Sequence, residues 1–167
     1  MTKTDENLKE AFAGESQANR KYTAFAQQAE KEGYPQIAKL FRAVAEAETV
    51  HALNHFKQMG EINSTKDNLE AARSGEHYEI TKMYPPMVED AEEEGNKGAK
   101  RTFEYALEVE KDHRALYDKA MEAIEKDEDL EEKDIHVCSV CGHTVIGDAP
   151  DECPVCHAKK MAFNKVN

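Results

Sequence analysis

Two Glu-x-x-His segments carry the first recognisable chemistry in the sequence, Glu48-Thr-Val-His51 and Glu110-Lys-Asp-His113. On a helix, a spacing of three makes the two side chains neighbours on one face. At about 100° per residue, Ile37, Phe41, Val44, Glu48, His51 and His55 fall on one narrow stripe, expected to face inward. Phe103, Leu107, Glu110 and Tyr117 form a second stripe with His113 at its edge. A single pair of this kind is ordinarily a surface ion pair or a satisfied core histidine. Here the pair is repeated, and two further helical segments add acids to apolar stripes. Glu15 lies with Leu8, Phe12 and Tyr22; Glu76 lies with Leu69, Ile80, Met83 and Met87, with Glu79 one turn on. Burying one unpaired carboxylate costs several kcal/mol. Four or five converging in the core of a domain stable by only about 5–15 kcal/mol therefore require cations. A Glu from each of two helices and a Glu-x-x-His from each of two others is the donor set of a dinuclear site in a four-helix bundle. Carboxylate and imidazole donors admit iron, manganese or zinc, and carboxylate bridging favours a pair of hard, redox-capable ions.

The second constellation is Cys138-Ser-Val-Cys141 and Cys153-Pro-Val-Cys156, with eleven residues between the pairs. Two such knuckles offer four thiolates in a tetrahedron, for iron or zinc. The spacing marks a metal strongly and its identity weakly. A zinc ribbon is the plain alternative, but an oxidant built on two metals needs an electron supply, which favours iron. Cys153-Pro-Val-Cys156-His157 also matches a covalent haem attachment motif. That reading is set aside, because the start of the chain lacks the layout of an export signal and both cysteines are already engaged.

Four helical segments must position the carboxylates: about 4 to 31, 36 to 59, 67 to 93 and 97 to 126, separated at Gly33-Tyr34-Pro35, Gly60 and Gly95. They are two copies of one hairpin. Tyr22, Gly33, Phe41, Glu48 and His51 recur as Tyr84, Gly95, Phe103, Glu110 and His113, each displaced by 62 positions. An acidic run, EKDEDLEEKD, then leads into a short Val-, Gly- and Pro-containing stretch from Ile135, expected to be a small metal-stapled β module. The expected division is 1–131 for a ferritin-like four-helix bundle and 132–167 for the four-cysteine module. With 22 Lys and Arg against 34 Asp and Glu, the net charge of −12 argues against nucleic acid and anionic lipid as partners. No apolar run approaches the ~20 residues of a membrane span, so no membrane partner is expected and the chain is read as cytoplasmic.

AFAGESQANRKY, the two Glu-x-x-His motifs, SGEHYEITKMYP and the terminal CSVCG and CPVC together resemble the rubrerythrin family, over nearly the whole chain. The resemblance implies a ferritin-like bundle with a carboxylate-bridged pair of non-haem irons, followed by a rubredoxin-like module with one iron on Cys138, Cys141, Cys153 and Cys156. It implies an enzyme that reduces hydrogen peroxide in oxidative-stress defence. The ligands it implies are Glu15, Glu48, His51, Glu76, Glu79, Glu110 and His113, with Glu48 and Glu110 bridging. Tyr22 and Tyr84 match tyrosines that hydrogen-bond to ligand carboxylates. One iron would exchange Glu79 for His51 on reduction. A homodimer and an electron donor, a rubredoxin or an NAD(P)H-dependent reductase, are also implied. The readings that compete are a ferroxidase or iron-handling protein, which gives the four-cysteine tail no role, and a zinc-ribbon-bearing interaction scaffold, which leaves the buried acids unexplained.

Two local expectations come from departures. Glu15 and Tyr22 are seven apart, but Glu76 and Tyr84 are eight apart. One extra residue would rotate Tyr84 about 100° from its glutamate in an unbroken helix, so a π-type bulge is expected between them. The residue after the second cysteine pair, usually glycine in the family, is His157. It is expected to be strained and not a ligand. Glu79, moreover, has no carboxylate counterpart in the first hairpin, where the equivalent position is Gln17.

Overall fold

The computed structural model describes residues 2–166 and falls into two units, one through Asn63 and one from Ser64. The first unit is a hairpin of α1 (Lys3–Lys31) and α2 (Pro35–Met59). Thr2 and Asp5 form a reciprocal capping box at the start of α1. Pro35 opens α2, and Gly60, with φ of 70°, closes it in the left-handed region that a glycine takes without strain. The seam is made of alanines: Ala38, Ala45 and Ala52 of α2 are buried, as are Ala26 and Ala29 of α1. This differs from the expected inward stripe. Phe41, Val44, Glu48 and His55 are only half-buried, while Ile37 and His51 are exposed. Two helices share a single seam, and small side chains let their backbones approach, so larger residues are displaced to its flanks.

The second unit begins with α3 (Thr65–Tyr78), capped by the Ser64 side chain. A single π turn, Glu79–Met83, follows and runs into α4 (Tyr84–Glu93). The extra residue inferred from the spacing is thus accommodated where it was expected, and the Tyr84 amide bonds back five residues to the Glu79 carbonyl. Pro85 and Pro86 follow directly and supply no N–H to the α-helical ladder, so the irregularity is placed where the ladder is already weak. After Gly95, α5 (Lys97–Ile124) is capped by the Asn96 side chain, which accepts from the Ala99 amide.

The chain ends in a three-stranded antiparallel sheet, β1 (Ile135–Cys138), β2 (Thr144–Ile146) and β3 (Phe163–Lys165), with β1 central. Its core is Cys138, Ala149, Cys153 and Phe163. So small a core needs a metal to hold it. The fold is mainly helical, with four helical segments and a small cysteine-bearing strand region, as the sequence reading expected. Among the described residues no helix is long and apolar enough to cross a membrane.

Candidate metal centres

In the first unit, α1 and α2 bring Glu15, Glu48 and His51 together, with potential ligand atoms all within 4.8 Å of one another. His51 Nδ1 lies 2.9 Å from Glu48 Oε2 and 3.8 Å from Glu15 Oε1. Asn19 fixes the helix register beside this group. Its amide donates to the Ala45 carbonyl at 2.6 Å and to Thr49 Oγ1 at 2.7 Å, next to Glu48. Tyr22 sits one layer along, its ring 6.3 Å from that of Phe41.

In the second unit, α3 and α5 bring Glu76, Glu110 and His113 into an equivalent group. The aromatic neighbour repeats as well: Tyr84 and Phe103 stand 6.4 Å apart. His113 Nδ1 is 2.7 Å from Glu110 Oε2. Glu79 stands outside the tight trio but within reach of it. Burial, then the charge and hydrogen bond of Glu110, hold its carboxyl above the usual carboxylate range. Glu76 is pushed up to about 8, by burial first and then by its hydrogen bond to Glu110 and the Glu110 charge. Acids crowded in this way ionise together only when a cation offsets them, so the donor set fits a divalent metal. Burial and the charges of Glu79, Glu110 and Glu76 raise the Tyr84 phenol, which therefore remains a hydrogen-bond donor at neutral pH.

The four cysteines form the third group. Cys138 Sγ and Cys156 Sγ are 3.6 Å apart, as are Cys141 Sγ and Cys153 Sγ. That is far beyond a disulfide bond of about 2.05 Å and close to the ~3.8 Å edge of a tetrahedron with metal–sulfur bonds of about 2.3 Å. Burial pushes the Cys141 and Cys156 thiols up. The amides of His143 and Ala158 point at those sulfurs and favour thiolates. The knuckles are related by a local two-fold pattern. Gly142 N–H donates to Cys138 O, and His157 N–H to Cys153 O; Cys138 N–H donates to His143 O, and Cys153 N–H to Ala158 O.

His157 therefore occupies the place of Gly142, and its φ of 61° lies in the left-handed region, as Gly142 does at 88°. Its ring is turned outward, 75% exposed, with Nδ1 3.2 Å from Glu152 Oε1. A side chain in this conformation costs roughly 1 kcal/mol. His157→Gly is expected to raise the unfolding free energy of the metal-loaded chain by up to about that amount and to leave its thiolate absorption unchanged. Weaker metal retention in the variant would show instead that the ring supports the site.

The sequence did not single out the contacts between α5 and the cysteine module. His113 Nε2 is 3.1 Å from Thr144 Oγ1, and Asp112 Oδ2 is 2.7 Å from His143 Nδ1. Nothing in the spacing of these residues could have announced them.

A mainly helical chain with two Glu/Glu/His groups and a four-thiolate module is a metalloprotein of the ferritin-like and rubredoxin-like class. The rubrerythrin profile matches residues 6–121, and that of the rubrerythrin rubredoxin-like domain matches residues 136–164. Rubrerythrin-2 of Clostridium acetobutylicum is 37% identical over 96% of this chain and 95% of its own length. A rubrerythrin of Porphyromonas gingivalis is 39% identical over 97% of this chain and 89% of its own. A mixed-valent structure of nigerythrin is 35% identical, covering 99% of this chain and 88% of that one, with a TM-score of 0.58. The chain belongs to the rubrerythrin family.

Proposed function

We propose that this chain reduces hydrogen peroxide to two waters, consuming two electrons and two protons, as part of oxidative-stress defence. In this reading Glu15, Glu48, His51, Glu76, Glu79, Glu110 and His113 would hold two irons through their carboxylates and imidazoles. Cys138, Cys141, Cys153 and Cys156 hold a third, with zinc the alternative there. When bound, an iron pair would supply the two electrons that peroxide takes, and an iron held by the four thiolates would replenish them. Glu79 and His51 would serve as alternative donors to the pair. Tyr22 and Tyr84 steady the ligand carboxylates through their hydroxyls. The reading further includes a bundle domain over 1–131, a rubredoxin-like domain over 132–167, a homodimer in the cytoplasm, and a rubredoxin or NAD(P)H-dependent reductase as donor.

The observation that carries this reading is the bond from His113, a donor in one Glu/Glu/His group, to Thr144, three residues beyond Cys141. A storage role gives the cysteine module no reason to touch a bundle ligand. Stopped-flow oxidation of the reduced, iron-loaded chain is the test, with peroxide and oxygen compared at equal concentration. Peroxide is expected to be faster by at least about tenfold, a difference of about 1.4 kcal/mol in barrier. Equal rates would remove the peroxidase reading and favour a ferroxidase.

A further inference from the structure

The two Glu-x-x-His histidines are held differently. In the first unit His51 is 54% exposed and makes its polar contacts through Nδ1, to Glu48 and Glu15. In the second, His113 is 28% exposed and is engaged at both ring nitrogens, by Glu110 at Nδ1 and Thr144 at Nε2. The Thr144 hydroxyl has one proton, which it donates to the Gly142 carbonyl at 3.0 Å. Towards His113 it can only accept. With a metal on Nδ1, which lies 2.7 Å from Glu110 Oε2, the neutral ring would carry its proton on Nε2 and donate it to Thr144.

Thr144 reaches His113 because the module is seated on α5 at a second point. Asp112 Oδ2 meets His143 Nδ1 at 2.7 Å, and His143 is only 8% exposed. The His143 ring stands edge-on to Phe163, with centroids 6.2 Å apart. The same residue is built into the first knuckle, since its carbonyl accepts the Cys138 amide. A Cβ placed on Gly142 would come 3.8 Å from Val109 Cγ1, so the knuckle itself abuts α5.

We propose that Thr144 is a positioning residue, delivered from the cysteine module, that fixes the His113 ring with Nδ1 free for a metal, and that the Asp112–His143 pair is the latch that seats it. The proposal rests on reading Glu76, Glu110 and His113 as metal donors. It makes His113 the stationary histidine of the two and ties metal binding in the bundle to an intact cysteine module. Partners that orient a ligand histidine through its other nitrogen typically contribute 10- to 100-fold in metal affinity.

The test is cobalt(II) binding to the full chain in competition with a chelator. Thiolate-to-cobalt bands report the four-cysteine site, and the weaker d–d bands report the bundle. Thr144→Val is expected to lower bundle affinity by about tenfold or more with the thiolate bands unchanged, whereas Thr144→Ser, which keeps the hydroxyl, stays near the parent. In the zinc-loaded chain, the His113 Nε2 proton should be protected from exchange in the parent and the serine variant and lost in the valine variant. Parent-like affinity in Thr144→Val, or a serine variant as weak as valine, overturns the proposal. If valine disturbs the thiolate bands, Asp112→Ala decides: weakened bundle affinity supports the latch, and parent-like affinity overturns it. Peroxide oxidation of the parent is read separately, so a failed peroxidase reading would leave these outcomes standing.

Discussion

Glu110→Ala is expected to empty the bundle of metal while the four-thiolate site stays loaded. Glu110 is the group through which the others in the second unit are connected. It hydrogen-bonds to Glu76, bears on Glu79 through charge and hydrogen bond, lies 2.7 Å from His113 and contributes to the raised phenols of Tyr84 and Tyr117. Its side chain is only 16% exposed, so water substitutes for it poorly. Loss of a residue that merely orients a ligand costs about 10- to 100-fold in affinity or activity. Loss of a donor on which the whole group converges should cost at least about 100-fold in bundle affinity, and peroxide turnover should fall with it. Metal analysis together with the thiolate absorption checks this. A variant that kept its full bundle metal would show that Glu110 is a structural acid and that the ligand set lies elsewhere.

The second large effect is expected at Glu79 and His51. Glu79 opens the π turn, where the α-helical ladder is interrupted. It lies beside the Glu76–Glu110–His113 trio without belonging to it. His51 is exposed and, among the described residues, shows no second anchor of the kind that Thr144 gives to His113. A carboxylate on an irregular turn and a ring held at one nitrogen suit donors that come and go. On the proposed reading, two ferrous ions would set four positive charges against Glu15, Glu48, Glu76 and Glu110, so a neutral imidazole would suit the reduced state and an added carboxylate the oxidised one. Glu79→Ala should keep its metal when reduced yet slow peroxide turnover by about 10- to 100-fold. His51→Ala should instead lose ferrous iron more readily. Stopped-flow oxidation with iron content measured in parallel separates the two. Parent rates with full iron in both variants would make the exchange irrelevant to turnover.

Sequence alone determined what depends on neighbours along the chain. A Glu and a His three apart on a helix must face the same way, so each pair was legible as a candidate donor pair before any fold was known. The duplication was legible because Tyr22 and Phe41 recur 62 positions on as Tyr84 and Phe103, and the rings keep nearly the same separation in both hairpins. The π turn followed from one surplus residue between Glu76 and Tyr84, and the left-handed His157 from its place after a cysteine pair. Tertiary structure decided what joins distant segments. The alanine seam of α1 and α2 was hidden because hydrophobicity ranks Phe and Ile above Ala, whereas close approach of two backbones selects the smaller side chain. The bonds of His113 to Thr144 and of Asp112 to His143 each span 31 residues and include no repeating pattern. A hydrogen bond is set by the position and direction of two atoms, and the docking of the cysteine module on α5 determines both.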